Sequence, residues 1–268
     1  MGGEAFKGPD GVPLTTGIRQ ADVGPTLDIL LRSVLKPVGI DAYVPLGSTG
    51  KKAVSGDLDI AVGPFPTKDP KALKAIKDAV LKGIQDIVGP EMAKLVGQNI
   101  ALMVPIKGSP GDFVQVDIML SGNPTNTGWL MSGVGEGVKG VYRNLMLAYL
   151  AKLQSDENPG TKITISFPGG VQVMKDGQIM VERTEDPETI VDVLGLPARP
   201  SDITRFEDLV TILESDPVFS VKLSGFEGYI SRYLQDPHTS IEAMKAIQFL
   251  KRNNGLREAI RRVLRSVR

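Results

Sequence analysis

Apolar residues recur at helical spacing in two stretches of the first half of the chain. The first stretch predicts an amphipathic helix that begins at Pro25, a residue suited to a first helical turn, and ends near Gly39. The second predicts a helix that begins at Pro70 and ends at Gly89, because glycine commonly ends a helix. The two apolar stripes are Leu27, Leu30, Leu31, Val34 and Leu35, and Leu73, Ile76, Val80, Ile84 and Ile87.

Stretches that run apolar or alternate predict strands around these helices. The strands are expected at 42–47, 57–62, 99–106 and 112–120, with a turn joining the last two. The resulting order of helices and strands predicts an α/β (α+β) mixed sheet with flanking helices. Residues 1–24 are rich in Gly, Pro and Asp, and we expect a lead-in without function that packs on the surface or stays mobile.

The composition changes beyond Ser121, and a second part of the chain is expected there. A helix is predicted over 138–153, a small β-hairpin near 161–182 and several further helices from Pro187 onward. We therefore expect two domains, a first one at 1–130 and a mainly helical C-terminal one at 131–268.

The composition restricts the chemistry that this protein can perform. Its 268 residues contain no cysteine and one histidine, His238, which excludes thiol nucleophiles, disulfides and Cys/His zinc sites. Carboxylates are the chemistry that remains. The 31 basic and 31 acidic residues balance, so only a local patch could attract a polyanion. The start of the chain does not resemble a signal peptide, and no apolar run approaches the roughly 20 residues of a membrane span, so we expect a cytoplasmic protein without membrane contact.

Two aspartates lie on one face of the second predicted strand. Because side chains alternate along a strand, Asp57 and Asp59 share a face, while Leu58, Ile60 and Val62 occupy the other and turn to the core. Two adjacent carboxylates repel each other unless a cation lies between them. Oxygen ligands at this spacing suit Mg²⁺, which also takes phosphate oxygens from a substrate.

A third aspartate, Asp117, lies on the opposite face of the last predicted strand from its aliphatic residues. A lone acid in so apolar a strand is costly in a packed core, so we expect it to face a polar cleft. Asp57, Asp59 and Asp117 could then gather two Mg²⁺ ions for phosphoryl or nucleotidyl transfer. Asp112, on the other face, is expected in a turn. The acid-bearing face carries Phe113, Gln115, Asp117 and Met119, and the other carries Val114, Val116, Ile118 and Leu120.

A loop between the first two predicted strands has the composition of a phosphate site. Gly47 lets backbone N–H groups approach a phosphate, the Ser48 hydroxyl can donate to it, and Lys51 or Lys52 can balance its charge. The loop is not a P-loop, because its glycines are too close together and Lys52 stands where Ser or Thr would bind Mg²⁺.

A strand-ending Gly-Ser, a short linker, an Asp-hydrophobic-Asp-hydrophobic strand and a third acid on a later strand together resemble the DNA polymerase beta-like nucleotidyltransferase superfamily. The resemblance covers about residues 25–120 and includes the order helix, strand, loop, strand, helix, strand, strand. It implies the fold of that superfamily and an enzyme that transfers a nucleoside monophosphate from an NTP to an acceptor hydroxyl, with release of pyrophosphate.

The resemblance also implies a role for each matching residue. Gly47 and Ser48 would bind the triphosphate, Asp57 and Asp59 would bind both metal ions, and Asp117 would complete the catalytic metal site and help to activate the acceptor hydroxyl. The implied cofactor is Mg²⁺, as two ions, and the NTP is the substrate.

The last residues of the chain bear on the acceptor. Arginines spaced along one face of a predicted C-terminal helix can follow a phosphodiester backbone, so we expect a nucleic-acid acceptor, a tRNA or other RNA 3′ end ahead of DNA. A solvated helix or a subunit contact would explain them as well. The alternatives are a small-molecule or protein acceptor, and a catalytically silent binding or assembly module. The basic residues of 251–268 are Lys251, Arg252, Arg257, Arg261, Arg262, Arg265 and Arg268.

Four other residues have chemistry that could be used but admit a simpler explanation. Trp129, Tyr142 and Arg143 could stack on a base or contact the acceptor, although core packing is the commoner fate of such side chains. His238 follows Asp236-Pro237 and is expected to cap a helix or to be solvated rather than to catalyse.

Overall fold

The computed structural model describes residues 3–66, 69–132, 138–167, 169–231, 241 and 243–252. The chain divides into two compact units, Met1–Trp129 and Leu130–Arg268. Each unit has its own secondary structure and its own buried residues, and each is described by itself below.

The first unit combines short strands with two long helices. After α1 the chain continues through a π-helical turn, Leu31–Leu35, and a 3₁₀ turn, Lys36–Val38. A short helix, α3, follows the last strand. The elements are β1 (Ile18–Arg19), α1 (Gln20–Leu30), β2 (Tyr43–Pro45), β3 (Val54–Ser55), β4 (Asp57–Val62), α2 (Pro70–Val88), β5 (Ala93–Val96), β6 (Asn99–Pro105), β7 (Phe113–Leu120) and α3 (Pro124–Leu130).

Five of these strands form one mixed sheet in the order β2-β4-β7-β6-β5. The central pair, β4 and β7, runs parallel, and the other pairs run antiparallel. Parallel neighbours need a crossover connection, and α2 lies in the chain between β4 and β7. The predicted mixed α/β sheet with helices is therefore confirmed. The edge strand β5, which the sequence analysis missed, adds to the side of β6.

Aliphatic side chains fill one face of this sheet and pack against α1 and α2. They alternate along β4 and β7 with the acid-bearing positions, as a strand with one buried face requires. The core cluster includes Leu58, Ile60 and Val62 of β4, Val114, Val116 and Ile118 of β7, Val23, Leu27 and Leu30 of α1, and Val80 and Ile84 of α2.

Local capping explains the ends of α2. The Asp69 carboxylate accepts hydrogen bonds from the backbone N–H groups of Lys71 and Ala72, so the first turn begins with satisfied donors. Gly89 follows the last helical residue with φ +100°, a conformation that side chains disfavour. The predicted helix from Pro70 to Gly89 is thus fixed by its own sequence.

The start of α1 differs from the prediction. The helix begins at Gln20, and Pro25 lies in its interior, where its missing N–H removes one intrahelical hydrogen bond. Tertiary pairing explains the earlier start. The β1–β3 ladder precedes the helix, and the Gln20 N–H donates to the Ala53 carbonyl at 2.9 Å. No local pattern in the sequence predicts this pairing.

Residues 3–16 are also unlike the expected lead-in. Phe6 is buried in a second apolar cluster with Ala101 and Met103, on the sheet face opposite the main core. The Thr16 N–H donates to the Phe113 carbonyl at 2.7 Å and so ties this segment to the sheet. Of the two expected alternatives, a mobile lead-in was wrong, because an aromatic anchor and backbone pairing hold the segment to the sheet. The segment does pack on the sheet, with Phe6 buried against it.

The second unit joins helices to a small sheet. The predicted hairpin is part of a three-stranded antiparallel sheet in the order β10-β9-β8. Residues 243–252 are helical as well. The elements are α4 (Gly140–Glu157), β8 (Thr161–Ser166), β9 (Gly170–Lys175), β10 (Gln178–Thr184), α5 (Pro187–Val193), α6 (Phe206–Ser215) and α7 (Pro217–Ser231).

Aromatic rings and one buried arginine hold the helices of the second unit together. Successive ring centroids lie 5.2 to 6.1 Å apart among Tyr149, Phe206, Phe226, Tyr229 and Phe249. None of the helices among the described residues is long and apolar enough to cross a membrane.

Tyr142 and Arg143 of α4 belong to this core. Arg143 is fully buried, and its Nε donates to the Ile203 carbonyl at 2.6 Å. Burial lowers the pKa of this guanidinium to about 10. Tyr142 is 2% exposed. These two side chains therefore pack in the core, and the hypothesis that they contact a base or an acceptor is wrong. Trp129 is half-buried in α3.

Two predictions fall on residues that the structure does not describe. His238 lies outside the described residues, and so do the arginines from Arg257 to Arg268. Lys251 and Arg252 are described, helical and exposed, and the Lys251 ammonium pairs with the Glu227 carboxylate at 2.8 Å.

The burial of Phe6 gives a stability prediction. Phe6→Ala should lower the free energy of unfolding by about 3 kcal/mol, because it removes a buried ring and leaves a cavity against Ala101 and Met103. Urea denaturation measures the change. Leu14→Ala in the same segment is the matched control, since Leu14 is 50% exposed and should change stability by less than about 0.5 kcal/mol. Equal stability of the two variants would contradict the packing described here.

Candidate active site

Four polar side chains lie together on one face of the five-stranded sheet. This face is opposite the aliphatic face that packs against α1 and α2. In the parallel pairing of β4 with β7, Asp57 is the register partner of Gln115, and Asp59 is the register partner of Asp117. All four positions have the same side-chain parity on neighbouring strands, which lie about 4.8 Å apart. The structure thus brings the three predicted acids Asp57, Asp59 and Asp117 together and adds an amide to them.

The electrostatics of this group reflect burial and like charge. Burial and, to a smaller extent, the nearby carboxylates of Asp57 and Asp117 together raise the pKa of Asp59 to about 7. Burial also raises the pKa of Asp117, and the charge of Asp57 adds to this, while a hydrogen bond from Gln115 acts in the opposite direction. The group is therefore short of positive charge.

Gln115 links Asp117 to the segment 3–16. Its Nε2 donates to both oxygens of the Asp117 carboxylate, at 2.9 and 3.1 Å. Its Oε1 accepts a hydrogen bond from the Ala5 backbone N–H at 2.8 Å. The side chain is buried, at 5% exposure, and both ends of its amide are used.

The predicted phosphate loop is fastened to Asp59. The Leu46 N–H donates to the Asp59 carbonyl at 2.8 Å, and the Thr49 hydroxyl accepts from the Asp59 N–H at 2.8 Å and donates to the Asp59 carbonyl at 3.1 Å. Gly47 has φ +53°, and a Cβ placed there would lie 3.8 Å from the Asp59 Oδ2. The Gly-Ser turn therefore lies beside the acids without a side chain between them.

The remaining predicted loop residues have free polar groups. Ser48 is half-buried, and Lys51 and Lys52 are exposed. The Ser48 carbonyl accepts from the Lys51 N–H at 3.0 Å, which closes the turn. Among the described residues, the Ser48 hydroxyl and the two ammonium groups have no hydrogen-bond or ion-pair partner, so they are available to a ligand.

The donor set suits Mg²⁺ in its chemistry, since it consists of carboxylate oxygens beside a polar loop. Even so, within the described ranges no group of three or more Asp, Glu or His side chains is arranged so that it could hold a metal ion. The residues that would hold such ions are Asp57 and Asp59 of β4 and Asp117 of β7.

Sequence reasoning missed two residues of this site. Gln115 was placed on the face of Asp117 by its parity but was given no role, and its partner Ala5 lies far away in the chain. Thr49 fastens the loop to β4, and only its position in the loop could have drawn attention to it. Asp112, the rejected alternative for the third acid, is exposed, and its N–H donates to the Ser109 carbonyl in the expected turn.

Comparison with known proteins gives no further guide. No model of a known protein family matches this chain, and no curated protein matches it significantly.

The loop attachment can be tested with Thr49→Val. This change should lower the free energy of unfolding by about 1 to 3 kcal/mol, because the Asp59 N–H loses its acceptor within a part-buried region. Chemical denaturation measures the loss. Thr49→Ser keeps the hydroxyl and should recover most of the stability, so a Ser variant as unstable as the Val variant would contradict the role of this hydrogen bond.

The raised pKa of Asp59 predicts a pH dependence of stability. The ordinary pKa is 3.8 and the folded value is about 7, so the folded chain holds this proton more tightly than the unfolded chain. Its contribution to stability is complete below the ordinary value and is lost as the pH rises through about 7. In EDTA, the melting temperature of the wild type should therefore fall relative to Asp59→Asn between about pH 5 and about pH 8. If the melting temperatures of the two proteins changed with pH in the same way, the pKa of Asp59 would not be raised.

Proposed function

We propose that this protein is a metal-dependent nucleotidyltransferase with the fold of the DNA polymerase beta-like superfamily. The observation that carries the proposal is the parallel register of β4 and β7, which sets Asp59 beside Asp117 and keeps Asp57 on the same face. Such a carboxylate group next to a Gly-Ser turn is suited to an NTP and its divalent cations.

The order of the elements supports the proposal. The helix α1, the strand β2, the Gly47–Lys52 loop, β4 and α2 precede the antiparallel strands β6 and β7. This is the order that the resemblance implies, and the third acid falls on the strand beside the Asp-x-Asp strand. The elements β1, β3 and β5 are additions to that order.

The residues of the site divide the work between binding and proton transfer. The backbone at Gly47, the Ser48 hydroxyl and the ammonium groups of Lys51 and Lys52 bind the triphosphate, since the loop offers donors and positive charge without protein partners. Asp57, Asp59 and Asp117 would hold the two Mg²⁺ ions, which supply charge neutralisation at the phosphates when bound.

The reaction is an in-line displacement at the α-phosphorus. The Asp117 carboxylate accepts the proton of the acceptor hydroxyl, a bond forms between that oxygen and the α-phosphorus, and the bond to the bridging oxygen of the β-phosphate breaks. Pyrophosphate leaves with the electron pair, and Asp117 passes its proton to solvent.

The proposed acceptor is a nucleic acid, with an RNA 3′ end ahead of DNA. Support comes from the arginine spacing in the sequence near the C-terminus, because guanidinium groups bind phosphodiesters well. The balanced total charge of 31 basic and 31 acidic residues favours a second candidate, an acceptor hydroxyl on a small molecule or a protein.

Transfer of label from α-labelled NTPs tests the proposal. With Mg²⁺ and pools of tRNA, single-stranded DNA, protein and small-molecule hydroxyls, the wild type should label one acceptor class and release pyrophosphate. Asp57→Asn, Asp59→Asn and Asp117→Asn should each lower the rate by about 100-fold or more, because each removes several kcal/mol of transition-state stabilisation.

Asp112→Asn is the matched control, since Asp112 is an exposed acid that precedes the same strand and should leave the rate unchanged. Labelling of RNA would support the first candidate, and labelling of a protein or a small molecule the second. Transfer at the wild-type rate by a folded Asp59→Asn protein would refute the nucleotidyltransferase assignment. No labelling of any pool, with no Mg²⁺-dependent rise of the melting temperature in the presence of NTP, would favour a silent binding module.

A further inference from the structure

The segment 3–16 approaches the acid-bearing face at both strands that carry the acids. Gly3 has φ +83°, and a Cβ placed there would lie only 2.7 Å from the carbonyl oxygen of Gly56, which directly precedes Asp57. The Thr15 hydroxyl donates to the Gly3 carbonyl at 2.6 Å in a buried environment and closes the segment on itself. These contacts hold the segment close to the first residue of β4.

The segment reaches the other acid strand through Gln115. The amide of Gln115 can point either end toward Asp117, but its Oε1 is occupied by the Ala5 N–H. An amide whose oxygen accepts from a backbone N–H must present its Nε2 donors on the other side, and these meet both oxygens of Asp117. The Ala5 backbone N–H thus sets the orientation of the Gln115 amide, although the Ala5 side chain is neither charged nor reactive.

Gln115 donates its hydrogen bonds to only one of the two acids near it. Its register partner across the parallel pair is Asp57, yet the hydrogen bonds that its Nε2 forms go to Asp117 on its own strand. The donor therefore lies with the acid that is proposed to accept the proton of the acceptor hydroxyl. A carboxylate that accepts hydrogen bonds from a neutral donor keeps further lone pairs for a cation.

We infer that Gln115 is a positioning residue for Asp117 and that the Ala5 backbone N–H fixes its orientation, so that residues 3–16 complete the cation-binding carboxylate group. The inference rests on the proposed function. Groups that orient a metal ligand typically contribute 10- to 100-fold to metal affinity. The segment that looked dispensable in the sequence is then part of the site.

Binding of Mn²⁺ alone, followed by the electron paramagnetic resonance signal of the free ion, tests this inference without any assay of transfer. Gln115→Met keeps the length of the side chain but donates no hydrogen bond, and it should weaken Mn²⁺ binding by about 10-fold or more. Ala5→Pro removes the N–H that Gln115 accepts, and it should weaken binding in the same direction.

Matched controls separate this role from a loss of folding. Gln85→Met removes the hydrogen bond from the Gln85 Nε2 to the Ala93 carbonyl in the same unit and should leave Mn²⁺ binding unchanged. Ala5→Ser keeps the backbone N–H and should also bind like the wild type. Melting curves in EDTA show that each variant is folded before it is titrated.

The double variant Ala5→Pro/Gln115→Met gives the decisive comparison. Because both changes break one chain of hydrogen bonds, the double variant should bind Mn²⁺ no more weakly than Gln115→Met alone. Additive losses, or a folded Gln115→Met protein that binds as tightly as the wild type, would overturn the inference while the proposed function stands. A wild type that binds no Mn²⁺ would overturn the proposed function and this inference with it.

Discussion

Repulsion among carboxylates that the sheet holds side by side is the interaction on which this structure depends. Parallel pairing of β4 with β7 sets Asp59 beside Asp117, with Asp57 on the same face. Burial and the neighbouring charges together raise the pKa of Asp59 to about 7. A protein that gathers negative charge in this way sacrifices stability at neutral pH, and a cation at the same place would recover it.

The opposite face of the sheet keeps the acids in place. Slipping either strand by one residue would exchange the aliphatic row for the acid-bearing row and expose Leu58, Ile60 and Val116 while burying charge. The main core with α1 and α2 therefore fixes the register, and the register fixes the distance between the acids. The function proposed for the site therefore depends on apolar packing on the opposite face of the sheet.

Neutral hydrogen bonds support the acids on the polar side. Thr49 fastens the Gly-Ser loop to the backbone of Asp59, and Gln115 connects Asp117 to the Ala5 N–H. None of these bonds joins opposite charges, so they hold the geometry without neutralising the carboxylates. The positive charge that the site lacks is left for a ligand, with Lys51 and Lys52 exposed nearby.

The local sequence pattern predicted the main elements and the parity of the acids, because alternation along β4 and β7 and the capping of α2 are properties of a few neighbouring residues. It therefore predicted the mixed sheet and the face shared by Asp57 and Asp59. The three-dimensional fold alone shows that α1 begins at Gln20, that residues 3–16 pack on the sheet, and that Gln115 holds Asp117. Each of these rests on pairing between residues far apart in the chain, such as Ala5 with Gln115, and no local period encodes such a pair.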